Sequence, residues 1–436
     1  MSYILKHIFI FKRKLSLFVG GWLSMETKSS LYSYFSNNDG TDLRSIFDEY
    51  IDQQSIFLDK TPLLLNYTPS EVSHRSKEMK ILAHILKPIL KLEKPSNVFM
   101  FGLPGTGKTL VAKQVVKTLK DVADGKNIPL QTIYVNCRVG GLGNSDYRLL
   151  VKLCGLLGRE LPRTGLSTKD IYDAFYNIVD AKKQAILLVL DEIDPLLTRK
   201  DSSFMYNISR IDEQLENAVV SFIGISNNVS LLNNVEKCIS STLSSEKIVF
   251  EPYNASQIYH IISKRAKLAF RQDSYTDSII RLVSALTAKH SGDVREALNL
   301  LRVAGELAQR RSKPQITEEE VYDAEKKIKN DLLLSSVKSL TQNAKYILYI
   351  ISSSSEDTLS VNDVYTKYKG IMLRLGKDPL TSRRIHDFIN ELETVGMLQS
   401  KVISMGRYGR FKTVCLPLEP SVKNEIKKML EFELNL

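Results

Sequence analysis

Between about residues 55 and 250, short apolar runs alternate with stretches whose apolar positions recur every three or four residues. That is the pattern of strands separated by amphipathic helices. The runs NVFMFG (97–102), QTIYVNC (131–137), AILLVLD (185–191), AVVSFIGIS (218–226) and EKIVF (246–250) are nearly continuous in Val, Ile and Leu. Each predicts a strand of a parallel sheet, covered by helices on both faces. From Asn254 to about Lys329 the strand signal disappears, and ASQIYHIISKRAKLAF and DSIIRLVSALTAKH each carry one apolar face, which predicts an all-helical unit. After NDLLLSSVKSL come three further helical patterns and then LQSKVISMGRYGRFKTVCLPL, where glycines interrupt two extended runs and predict a β-hairpin. ISSSSEDT (351–358) predicts a loop between two helices of this last unit. The expected layout is an N-terminal extension over 1–45, an α/β domain over 46–250, a helical unit over 251–330 and a helix-and-hairpin unit over 331–436.

Composition narrows this picture. The chain has 436 residues, 43% hydrophobic and 25% charged, which fits a multidomain globular protein and excludes a disordered or fibrous one. The apolar N-terminus is split by Lys12, Arg13 and Lys14, and what remains is too short to span a bilayer. It reads as a targeting segment or as a false start upstream of Met25, and no membrane association is expected. Cys137, Cys154, Cys238 and Cys415 lie far apart without a C-x-x-C pair, which argues against a zinc site or disulfide framework and fits a reducing cytoplasm. The net charge of +11 favours a polyanionic partner such as nucleic acid. Much of it is local: residues 367–412 hold ten Lys and Arg against four Asp and Glu.

The chemistry concentrates at strand ends. GLPGTGKT, Gly102 to Thr109, fits G-x-x-x-x-G-K-[ST] in full between a predicted strand and a predicted helix. Its glycines, with Gly105, Thr106 and Gly107 at the turn, let backbone N–H groups wrap a phosphate; Lys108 reaches the β and γ phosphates, and Thr109 ligates Mg²⁺. ILLVLDEID supplies the partner, 83 residues after Lys108. Asp191 is expected to hold the Mg²⁺ shell and Glu192 to orient or activate the attacking water, while Asp194 starts a helix or fixes the loop. Asn227 and Asn228 end the next strand on the same rim, within reach of the γ phosphate or the water. In SGDVREAL a helix beginning at Asp293 would point Arg295 back at the nucleotide. In DPLTSRRIHDFINELETVGML, Thr381 or Ser382 starts a helix with Arg383 and Arg384 at one end and an apolar face through Ile385, Phe388, Ile389 and Leu392. That is what a DNA recognition helix requires.

The order of these pieces resembles the AAA+ ATPases, and specifically the archaeal branch of the origin-recognition and replication-initiator (Orc/Cdc) family. The resemblance runs from about Ile56 to Pro417 and is carried by SIFLDKTPLLLNYTPSEVSHRSKEMKIL, FGLPGTGKT, VNCR, GLSTKDIYDAF, LLVLDEID, FIGISNN, IVFEPYNASQIYHIISKRAKLAF, SGDVREALNLLR, PLTSRR and GRYGR. It implies a nucleotide-binding α/β domain, a helical lid and a winged-helix domain that binds origin DNA. It assigns Gly105 to Thr109 to the phosphates, Asp191 and Glu192 to metal and hydrolysis, Asn227 to a first sensor and Arg295 to a second. Tyr253 and Arg265 become nucleotide contacts, and the segment from Tyr67 to Arg75 lies near the adenine. The hairpin turn becomes the wing, with Arg407 and Arg410 reaching phosphates or the minor groove and Tyr408 packing on sugar or supporting the turn. Residues 137–170 read either as a Gly-rich surface loop or, by the resemblance, as a helical insertion touching DNA through Arg159 and Arg163.

One departure stands out. Where the family carries an arginine that projects toward a neighbouring subunit's nucleotide, this chain has Lys237 and Cys238. A lysine supplies a point charge without the planar fork, so slow or single-turnover hydrolysis is expected. The function implied is an ATP-regulated replication initiator, with ATP/ADP and Mg²⁺ as cofactors. Its expected partners are double-stranded origin DNA, a replicative helicase of the minichromosome-maintenance type and other initiator subunits. It would act in the cytoplasm, associated with the nucleoid. An ATP-dependent transcription regulator or signalling switch with the same domains is the first alternative, and a clamp-loader-like remodelling ATPase the second.

Overall fold

The computed structural model describes residues 54–65, 67–69, 71–199, 203–231, 245–354, 356, 358–404 and 410–434. Residues 1–53, Lys237, Cys238, Arg407 and Tyr408 lie outside this set, and of Arg410 only the backbone falls within it.

The first unit comprises α1 (Ser76–Leu86), β1 (Asn97–Gly102), α2 (Lys108–Gly125), β2 (Leu130–Asn136), α3 (Asp146–Leu156), α4 (Thr168–Val179), β3 (Gln184–Asp191), α5 (Asp194–Thr198), α6 (Phe204–Ser209), β4 (Ala218–Ser226) and β5 (Ser245–Phe250). The five strands form one parallel sheet in the order β2-β3-β4-β1-β5. Because side chains alternate across a strand, the unbroken apolar runs feed two separate cores. Phe99, Phe101, Leu188, Leu190 and Phe222 are buried on the face covered by α3 and α4. Met100, Leu187, Val189, Ile223 and Ile225 are buried on the other, against α1 and α2.

Helix α3 occupies part of the stretch after β2, and residues 157–167, which carry Arg159 and Arg163, are irregular. Ser145 accepts the Arg148 N–H at 3.4 Å as its N-cap, and Leu149, Leu150, Leu153 and Cys154 bury the inward face. The flanking glycines obscured a short helix whose apolar spacing is regular.

The second unit comprises α7 (Ala255–Ala269), α8 (Asp277–His290), α9 (Val294–Arg310) and α10 (Glu318–Ser339). The N-terminal strap also belongs to this core. Phe57 stacks on Phe270 at 4.8 Å, and the Leu58 N–H donates to the Ala269 carbonyl at 2.8 Å. Ile56, Phe57 and Leu63 are thus buried among lid helices, not beneath the sheet they precede in sequence.

Helix α10 runs from this unit toward the C-terminal one, and its start is held by a buried carboxylate. Glu320, 0% exposed, accepts from Arg311, Lys313 and both the N–H and hydroxyl of Thr317, and the bond from the Thr317 N–H is one half of a capping box. Burial opposes the charge, but the Lys313, Thr317 and Arg311 donors prevail and bring its pKa down to about 2. The folded value lies below the ordinary 4.5, so the stabilisation is present in full above 4.5 and is lost as pH falls toward 2. Glu320→Ala is expected to cost about 2–3 kcal/mol at pH 7, read from the urea midpoint, and markedly less at pH 3.

The third unit comprises α11 (Gln342–Ser352), β6 (Leu359–Ser360), α12 (Val361–Arg374), α13 (Ser382–Thr394), β7 (Gln399–Ser404), β8 (Arg410–Cys415) and α14 (Pro420–Leu434). Its antiparallel sheet has the order β6-β8-β7, so the expected hairpin gains a short third strand. Ile347, Val364, Tyr368, Ile385, Ile389 and Leu430 anchor its core.

Candidate functional site

Strand register brings the predicted site residues to one rim. Asn136 pairs with Asp191, Asp191 with Ile225, Phe101 with Ser226 and Gly102 with Phe250. The segments after β1, β2, β3, β4 and β5 therefore leave the sheet at a common carboxyl edge, where ligands of parallel sheets collect.

The turn after β1 has the backbone that its glycines permit. Gly105 has φ +72° and Gly107 φ +91°, both in the left-handed region. A Cβ at Gly105 would fall 1.6 Å from Asp293 Oδ1, and one at Gly107 would fall 2.8 Å from the Tyr253 hydroxyl. Neither position tolerates a side chain. Lys108 is 4% exposed and donates to the carbonyls of Gly102 and Leu103, each at 2.8 Å. Burial, then the Arg295 charge, pushes its ammonium pKa down to about 8 against the pull of Asp191, Asp194 and Asp293. Thr109 donates to Asp191 Oδ2 at 2.9 Å.

Asp191 is 5% exposed and held from three sides: Thr109 and the Tyr134 hydroxyl (2.6 Å) donate to Oδ2, and the Glu192 N–H donates to Oδ1 at 3.0 Å. Glu192 itself adopts φ +53°, an uncommon backbone for a residue with a side chain. Arg138 Nη1 stands 3.5 Å from Glu192 Oε2. Asp194 opens α5 and accepts the Ser226 hydroxyl at 2.5 Å, which ties the ends of β3 and β4 together.

One cavity of about 590 Å³ gathers most of the candidates: Gly105, Gly107, Lys108, Thr109, Asp191, Glu192, Asn227, Tyr253, Arg265 and Arg295 all line it. Its apolar lining comes from the N-terminal segment and the lid, through Tyr67, Val72, Ile261, Leu268 and Leu298. Arg265 lies 4.2 Å over the Tyr67 ring and donates to the Pro62 carbonyl at 3.3 Å. A cavity of this size, with charged groups at the strand ends and apolar side chains from the N-terminal segment and the lid, suits a nucleotide.

From the lid, Asp293 caps α9 by accepting the Arg295 N–H at 2.8 Å. The same carboxylate binds the Arg295 guanidinium, with Nη2 to Oδ2 at 2.9 Å, and that hydrogen bond raises the pKa of Arg295. The residue that meets Gly105 is therefore the one that orients the lid arginine.

Arg75 has a role the motifs did not reveal. It is 4% exposed and donates to the Thr106 carbonyl at 3.0 Å, to Glu78 Oε1 at 2.9 Å and to the Glu251 carbonyl. Its guanidinium lies 4.1 Å over Tyr253 and 5.4 Å over Phe250. Tyr253, 5% exposed, thus sits beneath Arg75 as well as lining the cavity. Together they brace the turn from below.

Two arginines of the third unit open its exposed helix. Thr381 is the N-cap of α13, and Arg383 and Arg384 are exposed in its first turn while Ile385, Ile389 and Leu392 are buried. Arg384 lies 5.5 Å over Phe388 and 3.6 Å from Asp387. Lys412 of β8 bonds Asn390 and Glu393 of α13, which fixes the hairpin to that helix. Arg159 and Arg163 are exposed on the segment between α3 and α4, in the other half of the chain. Among the described residues no helix is long and apolar enough to cross a membrane, and no cluster of three metal-ligating side chains occurs.

The sheet order, the turn after β1, the acidic strand end and the helical lid define an AAA+ ATPase fold with a winged helix attached. Residues 92–232 match the AAA domain family, 259–326 the Cdc6 AAA+ ATPase-type lid domain and 335–425 the Cdc6 C-terminal winged-helix domain. The ORC1-type DNA replication protein of Thermococcus onnurineus is 40% identical over 390 residues, covering 88% of this chain and 93% of the relative. ORC1-type DNA replication protein 1 of Methanosarcina acetivorans is 37% identical over 394 residues, covering 89% and 94%. The structure of the Aeropyrum pernix ORC1 protein in complex with DNA superposes with a TM-score of 0.73 at 34% identity, covering 88% of this chain and 99% of that one. The chain belongs to the family of ORC1-type DNA replication proteins.

Proposed function

We propose that this chain is an ATP-regulated replication initiator that binds double-stranded origin DNA and helps recruit or load the replicative helicase, of the minichromosome-maintenance type. The observation that carries the reading is one cavity lined by a phosphate-binding turn, an acidic pair and a lid arginine, in a chain that also bears a basic winged helix. The Aeropyrum relative, 34% identical, was solved with DNA, which supports DNA binding by this chain.

The residues divide the work by chemistry. Backbone N–H groups from Gly105 to Thr109 and the dipole of α2 bind the phosphates, and Lys108 neutralises them. Thr109 Oγ1 and Asp191 Oδ2, 2.9 Å apart, are hard oxygen donors that fit Mg²⁺. Held there, that ion would neutralise phosphate charge. Glu192 orients the attacking water, Asn227 reports on the γ phosphate, and Arg295 approaches it from the lid. Tyr67 and Arg265 frame the base. Without the trans-acting arginine, with Lys237 and Cys238 in its place, hydrolysis is a slow switch between ATP and ADP states. Arg383 and Arg384 enter the major groove, Arg407 and Arg410 reach phosphates or the minor groove, Tyr408 packs on sugar or supports the turn, and Arg159 and Arg163 add a second contact from the AAA+ domain. The protein works in the cytoplasm, on the nucleoid, with other initiator subunits.

A transcription regulator with the same domains predicts a different DNA preference. The test is a titration of the purified chain, in ATP and in ADP, with a replication-origin fragment and with promoter fragments of equal length. A preference of at least about tenfold for the origin, stronger in one nucleotide state, is expected. Equal affinity for promoters in both states would favour the regulator.

A further inference from the structure

We propose that Tyr134 is the positioning residue for the Asp191 carboxylate, and that through it Tyr134 sets the affinity of the nucleotide site for Mg²⁺. The inference rests on the nucleotide reading above and adds to it a residue that the phosphate-site motifs do not contain.

The placement follows from sheet geometry. Tyr134 on β2 pairs with Val189 on β3, and Asp191, two residues further along, projects from the same face. The Tyr134 side chain spans to that neighbour, and its hydroxyl arrives 2.6 Å from Asp191 Oδ2. That oxygen also accepts from Thr109, so the donors from β2 and α2 fix the carboxylate in one rotamer. The ring is held in turn: Lys113 Nζ lies 4.5 Å from its centroid. Lys113 follows Thr109 by four residues, so both side chains leave α2 on the same face. Tyr134 is nonetheless 41% exposed on the edge strand, so the sheet does not require its hydroxyl for packing. Partners of this kind, one bond behind a metal-directed carboxylate, are worth about 10- to 100-fold in metal affinity.

The experiment measures binding of a fluorescent ADP to the full chain, first in EDTA and then in a Mg²⁺ titration, for the wild type, Tyr134→Phe and Lys113→Met. Tyr134→Phe keeps the ring and its cation. It is expected to bind metal-free ADP within twofold of the wild type and to raise the half-saturating Mg²⁺ about tenfold. Lys113→Met should shift it in the same direction by about two- to threefold. A half-saturating Mg²⁺ within twofold of the wild type in Tyr134→Phe would overturn the proposal. So would a loss of metal-free ADP affinity by the same factor, which would mark general distortion. Failure of the wild type to bind ADP at all would instead overturn the nucleotide reading beneath it.

Discussion

Arg75→Ala is expected to lose roughly tenfold or more in ADP affinity and about 3 kcal/mol in stability. The guanidinium is buried and holds three groups from different parts of the chain: Thr106 in the phosphate turn, Glu251 beyond β5 and Glu78 on α1. Removing it leaves the Thr106 and Glu251 carbonyls without this donor and takes a cation from the faces of Tyr253 and Phe250. The turn must then order itself when nucleotide arrives, and that cost appears as weaker binding. Arg75→Lys should rescue little, because a single ammonium cannot span three partners set by a planar fork. Fluorescent ADP titration and the urea midpoint read the two effects. An Arg75→Ala protein that binds ADP within twofold of the wild type would show that the turn needs no brace.

The second large effect concerns the winged helix. A variant with Arg383, Arg384, Arg407 and Arg410 all changed to Ala is expected to bind duplex DNA on the order of 100-fold more weakly at physiological salt. Its plot of log affinity against log salt should be shallower by about 0.9 for each phosphate that the protein no longer neutralises. Metal-loaded ADP binding should remain intact, because neither Arg383 nor Arg384 lines the nucleotide cavity. Arg407→Ala/Arg410→Ala alone should show a smaller drop in affinity and a shallower slope. Unchanged affinity and slope in the fourfold variant would move DNA binding elsewhere, with Arg159 and Arg163 the next residues to change.

The strands and the phosphate turn were legible because each depends on local pattern. The continuous apolar runs of β1 to β5 follow from burial on both faces, and G-x-x-x-x-G-K-T from the backbone that a phosphate turn requires. Asp293 was legible as a helix start, yet its contact with Gly105 and its ion pair with Arg295 were not, since only tertiary packing brings the lid to the turn. Arg75 and Tyr134 were hidden for the same reason. Arg75 reaches partners 31 and 176 positions away, and no periodicity records such distances. Tyr134 lay within a strand whose pattern announces burial, so nothing marked its hydroxyl as a donor to Asp191. The packing of Ile56 and Phe57 into the lid core was not legible, because two apolar residues make no pattern.

The central claim is that nucleotide held in the AAA+ cavity governs where the winged helix binds DNA. Its most direct test is to map the genomic DNA bound in cells by the wild-type chain and by Lys108→Ala, alongside the sites where replication starts. The account predicts that wild-type binding concentrates at replication origins and that Lys108→Ala redistributes or loses this enrichment while keeping non-specific DNA affinity. Enrichment confined to promoters, with no signal at origins and no response to Lys108→Ala, would contradict it.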